Sequence, residues 1–217
     1  MADLLHVVLL HTYNKHKFKN FIFLNYQMQV QNIILDLDNT LLHGVKKELD
    51  VPFQEHFQTV EIEDYTVFVR PHLQAFLDFI FTHFNVAVFT AAGPNYAKQI
   101  VEKLFPRKPV FIFSTPEFDR CKLQTGGFKD LEWVENQVPF QKSRTLIIDD
   151  MKLVKMTNGD HCYNIKPFYV LHEIKGQIAT AQFKACSQDE KKRYLIKQSV
   201  EDDELLTCMK YLQKFSS

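Results

Sequence analysis

Two aspartates, Asp36 and Asp38, stand two residues apart where the apolar run Ile33-Ile34-Leu35 ends, with Asn39 and Thr40 directly after them. Side chains two apart on an extended chain point the same way, so both carboxylates should emerge together where a strand leaves its sheet. Neighbouring carboxylates repel, and a hard cation such as Mg2+ relieves the repulsion. One carboxylate could then attack phosphorus while the other handles a proton. Taken alone, D-x-D-x-T is a short pattern. It equally describes a strand end running into a solvated turn, where Asp and Asn are common.

The elements around the pair decide more. A short apolar run stopped by polar residues reads as a buried parallel strand. The pattern recurs at Asn85 to Phe89, which stops at Thr90, at Val110 to Phe113, and at Leu146 to Ile148, which ends in Asp149-Asp150; Asn164-Ile165 begins a short fifth strand. Between the strands, Leu73, Phe76, Leu77, Ile80, Phe81 and Phe84 keep the 3.6-residue period of a helix, opened by Arg70-Pro71 with proline in its first position. Pro94 opens another helix, with Tyr96, Ala97, Ile100, Val101 and Leu104 on one face. Both stripes are core-facing. Strands alternating with amphipathic helices predict an α/β fold, a parallel sheet covered by helices on both faces. Such sheets bind ligands beyond the carboxyl ends of their strands, where Asp36, Asp38, Thr90, Asp149 and Asp150 should converge.

Gln58 to Ile62 and Tyr65 to Val69 alternate like two short strands across Glu63-Asp64, so residues of about 44–69 are predicted as a small β-hairpin flap inserted after the first strand. Residues 114–143 read as a mixed connection broken at Gly126-Gly127. Residues 169–199 fit no pattern apart from a charged helix over Asp189 to Lys197, and Leu205, Met209 and Leu212 mark a final amphipathic helix.

Composition sets bounds. The 217 residues carry 26 basic and 26 acidic side chains, so direct nucleic-acid binding and bulk attraction to an anionic membrane are not expected. Twenty phenylalanines against six glycines predict an aromatic-rich core. Cys121, Cys162, Cys186 and Cys208 are widely spaced without C-x-x-C, which suits a reducing compartment, nuclear or cytoplasmic. Leu4 to Leu10 is too short to span a bilayer and lacks the flanks of a secretory signal. Residues 1–27 are read as an N-terminal extension outside the core, with Met28 as the alternative start, and residues 28–217 as a single domain.

The set Asp36-Leu37-Asp38-Asn39-Thr40, Thr90, Lys129 and Asp149-Asp150 resembles the four motifs of the haloacid-dehalogenase superfamily. Finer marks resemble the FCP/NIF-like phosphatases acting on the C-terminal domain of RNA polymerase II. These are Asp36 to His43, Arg70-Pro71-His72-Leu73, Phe89-Thr90-Ala91 with Tyr96 six residues after the threonine, Arg120-Cys121, and Phe128-Lys129-Asp130-Leu131. The resemblance covers roughly residues 30–168 and the final helix. It implies a Rossmann-like fold and a Mg2+-dependent phosphoprotein phosphatase, working on phosphoserine or phosphothreonine through an aspartyl-phosphate. It implies Asp36 as nucleophile, Asp38 as acid and then base, Thr90 and Lys129 on the phosphate, and Thr40 and Asp149 as supports. The metal would be held by Asp36, Asp150 and the backbone carbonyl of Asp38.

Structural readings stand beside these. Thr90 could cap a helix, and most loop lysines are solvated, though the F-K-D-L setting singles out Lys129 over Lys122. His43 reads as a loop-shaping residue, and Arg70 as fixing either the flap or the phosphate, with structure preferred. The chain departs from the family in carrying Asp149-Asp150 where small members have Asp-Asn, in a short Thr40–Arg70 segment, and in the apparent insertion at 169–199. The short segment bears on specificity for the polymerase tail. Two rivals remain: a phosphatase of small metabolites on the same scaffold, and a binding module without turnover.

Overall fold

A computed structural model of the chain describes residues 29–48, 54–170 and 200–216, with Ser187, Asp189, Glu190 and Arg193. The expected parallel sheet is present, with strands β1 (Asn32–Leu35), β5 (Asn85–Phe89), β6 (Ile112–Phe113), β7 (Thr145–Asp149) and β8 (Cys162–Asn164) in the order β6-β5-β1-β7-β8. The strand with the aspartates is central, paired in parallel with β5 and β7.

Strand alternation divides the core in two. Ile33, Leu35, Val86, Val88, Leu146 and Ile148 face one side, against helices α1 (Leu73–His83), α2 (Pro94–Leu104) and α6 (Glu204–Leu212). Ile34, Ala87, Phe89 and Ile147 face the other, against α3 (Thr115–Thr125), α4 (Leu131–Glu135) and α5 (Lys152–Asn158). A sheet buried on both faces needs apolar residues at every position, which is why its strands read as unbroken runs.

The flap is larger than the predicted hairpin. Strands β3 (Thr59–Ile62) and β4 (Tyr65–Val69) are joined by β2 (Leu42–Lys46), antiparallel to β4, in a sheet of order β2-β4-β3. Gly44 and the two lysines Lys46-Lys47 hide the alternation of β2. Val45 and Phe68 pack with Phe168 and Val170 in a small separate core.

Other boundaries moved. Helix α1 begins at Leu73 because the Arg70 side chain is drawn inward and His72 takes a left-handed φ of 66° as N-cap, so Pro71 lies in the preceding turn. Strand β6 keeps two residues at the sheet edge, although Val110 N–H still reaches Val86 O. Strand β8 starts two residues earlier than predicted. The mixed connection holds two helices. Only Cys121 of α3 is buried, so α3 shows little apolar stripe and is announced instead by the Ser114–Glu117 capping box. Helix α4 is capped by Asp130, whose side chain accepts from Glu132 N–H. Residues 1–27 lie outside the described residues, as does most of 169–199; Asp189, Glu190 and Arg193 within it are helical. Cys121, Cys162 and Cys208 are buried free thiols.

Candidate active site

The sheet register assembles the first part of the site. Asp36 N–H continues the β1–β7 ladder to Ile148 O at 3.0 Å. Leu35 pairs with Ile148, so Asp36 falls beside Asp149. By alternation both side chains share the face of Ile34 and Ile147, the face covered by α3, α4 and α5.

Lys129 enters from that face. It is 1 % exposed and its Nζ donates to Asp36 Oδ1 and to Asp149 Oδ2, each at 2.6 Å. Two carboxylates in register thus close on one ammonium. The backbone at Lys129 is left-handed, φ 50°, a conformation that costs a non-glycine residue energy and recurs at functional sites. Asn158, at the end of α5, holds it there: its Nδ2 donates to Lys129 O at 3.1 Å and its Oδ1 accepts Leu131 N–H at 2.9 Å.

After Asp36 the chain turns sharply. Thr40 and Leu41 N–H both reach Leu37 O, and Asn39 takes φ 62°. The turn puts the Thr40 hydroxyl 3.2 Å from Asp36 Oδ2 and 3.4 Å from Asp150 Oδ1, while it accepts Asp150 N–H at 3.2 Å.

Asp38 goes elsewhere. Its Oδ1 accepts the Tyr96 hydroxyl at 2.9 Å. Tyr96 is 8 % exposed, at the first turn of α2, and Tyr65 of the flap meets it edge-on. A Cβ on Gly44 would lie 2.7 Å from the Tyr96 oxygen, so β2 passes the ring only because residue 44 has no side chain. The flap is tied to the same helix through Glu63, which accepts from Asn95 and from Gln99, and through Lys103 to Glu61 O.

Four carboxylates, Asp36, Asp38, Asp149 and Asp150, therefore face one ammonium. Burial first, and then the Asp36 charge, push Asp38 up to about 6 and Asp150 up to about 6, and raise Asp149. Burial alone would lower Lys129, but Asp36 and Asp149 outweigh it and push it up to about 12. Burial and the neighbouring Asp38 raise Tyr96, which stays protonated and donates. The surplus negative charge is what a divalent cation offsets. Ligand atoms of Asp36, Asp149 and Asp150 lie within 4.8 Å of one another, and all are oxygens, the donors Mg2+ takes. The residues fit the metal. The Asp38 side chain is outside this set, which leaves its carboxylate to other work.

Thr90 follows β5 at the same sheet edge. It is buried, and its Oγ1 accepts Ala92 N–H at 3.1 Å; the N-cap of α2 is Gly93, so Thr90 is not that cap. His43 Nδ1 lies 2.8 Å from Asn39 Oδ1 and its ring meets Tyr169, at the rim of the turn. Arg70 is buried behind the turn and contacts none of the four carboxylates. Sequence reading marked Tyr96 without giving it a task. It missed Asn158 and Asp202, for which no local pattern exists; Asp130 was legible as an N-cap in F-K-D-L.

Residues 31–217 match the family described as NLI interacting factor-like phosphatase. The chain is 35 % identical over 161 residues to the CTD phosphatase-like protein 355R of Invertebrate iridescent virus 6, covering 65 % of this chain and 88 % of that protein. It is 26 % identical over 149 residues to an RNA polymerase II C-terminal domain phosphatase of Caenorhabditis elegans, covering 65 % and 22 %. Among solved structures, the fission yeast RNA polymerase II CTD phosphatase Fcp1 bound to beryllium fluoride superposes with a TM-score of 0.52 at 16 % identity, over 94 % of this chain and 65 % of that one. At that identity the likeness speaks for the fold, and this chain spans about two thirds of the solved one.

Proposed function

The chain belongs to the NLI interacting factor-like phosphatase family, and from that membership we propose that it hydrolyses phosphoserine or phosphothreonine in protein, with Mg2+ and through an aspartyl-phosphate. The observation that carries the reading is the division of labour between Asp36 and Asp38. Asp36 is held by Lys129 within the metal-binding carboxylates, while Asp38 stands apart on Tyr96.

Asp36 attacks phosphorus, forming the O–P bond to the enzyme as the bond to the seryl or threonyl oxygen breaks. Asp38 gives that oxygen its proton; a pKa near 6 leaves part of the population protonated near neutrality. The ionised Asp38 then takes a proton from water, which attacks the aspartyl-phosphate, releases phosphate and restores Asp36. Lys129 offsets the charge on Asp36 and on the phosphoryl oxygens, the main need in this transfer. Thr90, with its own O–H able to donate, is assigned to a phosphoryl oxygen, and Thr40 keeps Asp36 and Asp150 in place. Asp36, Asp150 and the Asp38 carbonyl, with Asp149 beside them, would hold Mg2+, which supplies further charge compensation at the phosphate.

Among the described residues the segment between Thr40 and Arg70 forms a small three-stranded flap beside the site and not a separate domain, which suits a macromolecular substrate over a small metabolite. The relatives named for the polymerase tail make that tail the first peptide to try, in a nuclear or cytoplasmic setting. Among the described residues no helix is long and apolar enough to cross a membrane. The test is para-nitrophenyl phosphate with and without Mg2+, then a panel of phosphopeptides, with Asp36→Asn as control. The parent should turn over both substrate types only with metal, and the near-isosteric variant should fold and do neither. Parental activity in Asp36→Asn would refute the aspartyl-phosphate route, and activity confined to small metabolites would refute the protein substrate.

A further inference from the structure

Among the described residues Arg70 is the largest fully buried side chain, and its guanidinium serves three remote segments. Nε donates to Asp202 Oδ1 at 2.8 Å and NH2 to Asp202 Oδ2 at 2.9 Å, a two-point pair with side chains 0 % and 4 % exposed. NH2 also reaches Lys166 O, beyond β8, at 2.8 Å, and NH1 reaches Thr40 O at 2.8 Å. The Phe168 ring lies 5.6 Å from the guanidinium carbon. An arginine so enclosed needs a paired anion, and among the described residues Asp202 is its partner. Asp202 Oδ1 also accepts Glu204 N–H at 3.2 Å, at the start of α6.

The contact with Thr40 gives this network a consequence at the site. Arg70 grips the carbonyl of Thr40, and its own N–H takes Leu41 O at 3.1 Å. The Thr40 hydroxyl meets Asp36 Oδ2, Asp150 Oδ1 and Asp150 N–H. Thr40 is therefore held from behind by Arg70 and in turn spaces two carboxylates in front. Asp202 fixes the fork by its other edge, with Lys166 O also on NH2, and this keeps NH1 aimed at Thr40. A planar guanidinium bound at two points has little freedom to turn.

We propose that Asp202, acting through Arg70 and Thr40, is a positioning residue for the Asp36–Asp150 pair, so that the chain around α6 belongs to the catalytic unit. The proposal rests on the Mg2+-dependent reading above. It predicts an effect on metal affinity that loss of helix packing alone does not produce. Leu212, fully buried in α6 and making none of these hydrogen bonds, supplies the comparison.

The experiment is calorimetric titration of the full chain with Mg2+, without substrate, beside thermal unfolding, for the parent, Asp202→Asn and Leu212→Ala. Both variants should melt below the parent. Asp202→Asn should weaken Mg2+ binding about tenfold, the scale of losses when a ligand's supporting partner is removed. Leu212→Ala should bind as the parent does. In para-nitrophenyl phosphate turnover, the half-saturating Mg2+ for Asp202→Asn should rise by the same factor and kcat should recover at saturating metal. Unchanged affinity in Asp202→Asn, or an equal loss in Leu212→Ala, overturns the proposal. Should Asp202→Asn fail to fold, Asp202→Glu takes its place. It keeps the charge but is one methylene longer and must displace the fork, so a loss of about tenfold supports the relay and parental affinity overturns it. A parent that binds no Mg2+ overturns the metal-dependent reading and this proposal together; a parent that binds, with unchanged variants, overturns the positioning alone.

Discussion

Removing the ammonium from Lys129 should make the protein less stable in a way that depends on pH. Lys129→Met keeps most of the side-chain volume and deletes two 2.6 Å contacts to Asp36 and Asp149. Breaking a buried pair by deleting one partner costs about 3–5 kcal/mol, because the other charge is left uncompensated. For a domain of this size about 2–4 °C of Tm goes with each kcal/mol, so the loss is about 6–20 °C. The sign with pH follows from Asp149, which burial and Asp36 raise already in the parent. Without Lys129 the Met151 N–H is left to oppose that rise, and a neutral donor opposes it less than an ammonium does. A carboxyl raised in the folded state is stabilising while protonated, and that contribution is lost as pH rises through the raised value. The Tm gap between parent and variant should therefore be wide at pH 8 and narrow toward pH 5. The raised Lys129 value, about 12, lies above this window, so the parent keeps its ammonium throughout. The assay is thermal unfolding in chelator at both pH values, repeated with Mg2+, which should recover part of the gap at pH 8. An equal gap at both pH values, or a gap under about 2 °C at pH 8, would refute the claim that Lys129 compensates these carboxylates.

Tyr96→Phe removes one hydrogen bond to Asp38 with almost no change in volume. A hydrogen bond to a charged group is worth about 1.5–3 kcal/mol, so phosphoserine-peptide turnover should fall at least tenfold. Attack on para-nitrophenyl phosphate, whose leaving group needs no proton, should fall much less; equal losses would separate Tyr96 from proton transfer. Gly44→Ala should give the same split, since its new methyl meets the Tyr96 hydroxyl, and parental behaviour on both substrates would contradict the close approach. A chain begun at Met28 should keep the parental Tm and aryl-phosphatase activity, and an insoluble or inactive product would place residues 1–27 in the core.

Much of this protein was legible along the chain. The strands of a doubly covered sheet must be apolar on both faces, so β1, β5 and β7 appear as runs, and the polar residue ending each run marks the sheet edge. Helices α1 and α2 show a stripe because one face of each is buried and the other wet. Helix α3 and strand β2 escaped because neither has a clean period: one buries almost nothing, and the other is interrupted by the glycine that lets Tyr96 pass. What the carboxylates do relative to one another was decided only by the fold. Asp36 and Asp38 are neighbours in sequence with like side chains. One is turned to Lys129 by the register of β1 with β7, and the other to Tyr96, 58 positions away. Arg70 and Asp202 are 132 positions apart, and each is a single polar residue with no periodic partner. Local pattern follows from how a residue's neighbours are buried, whereas a buried ion pair or an aimed hydroxyl depends on which distant segments the packed core brings within about 3 Å of each other.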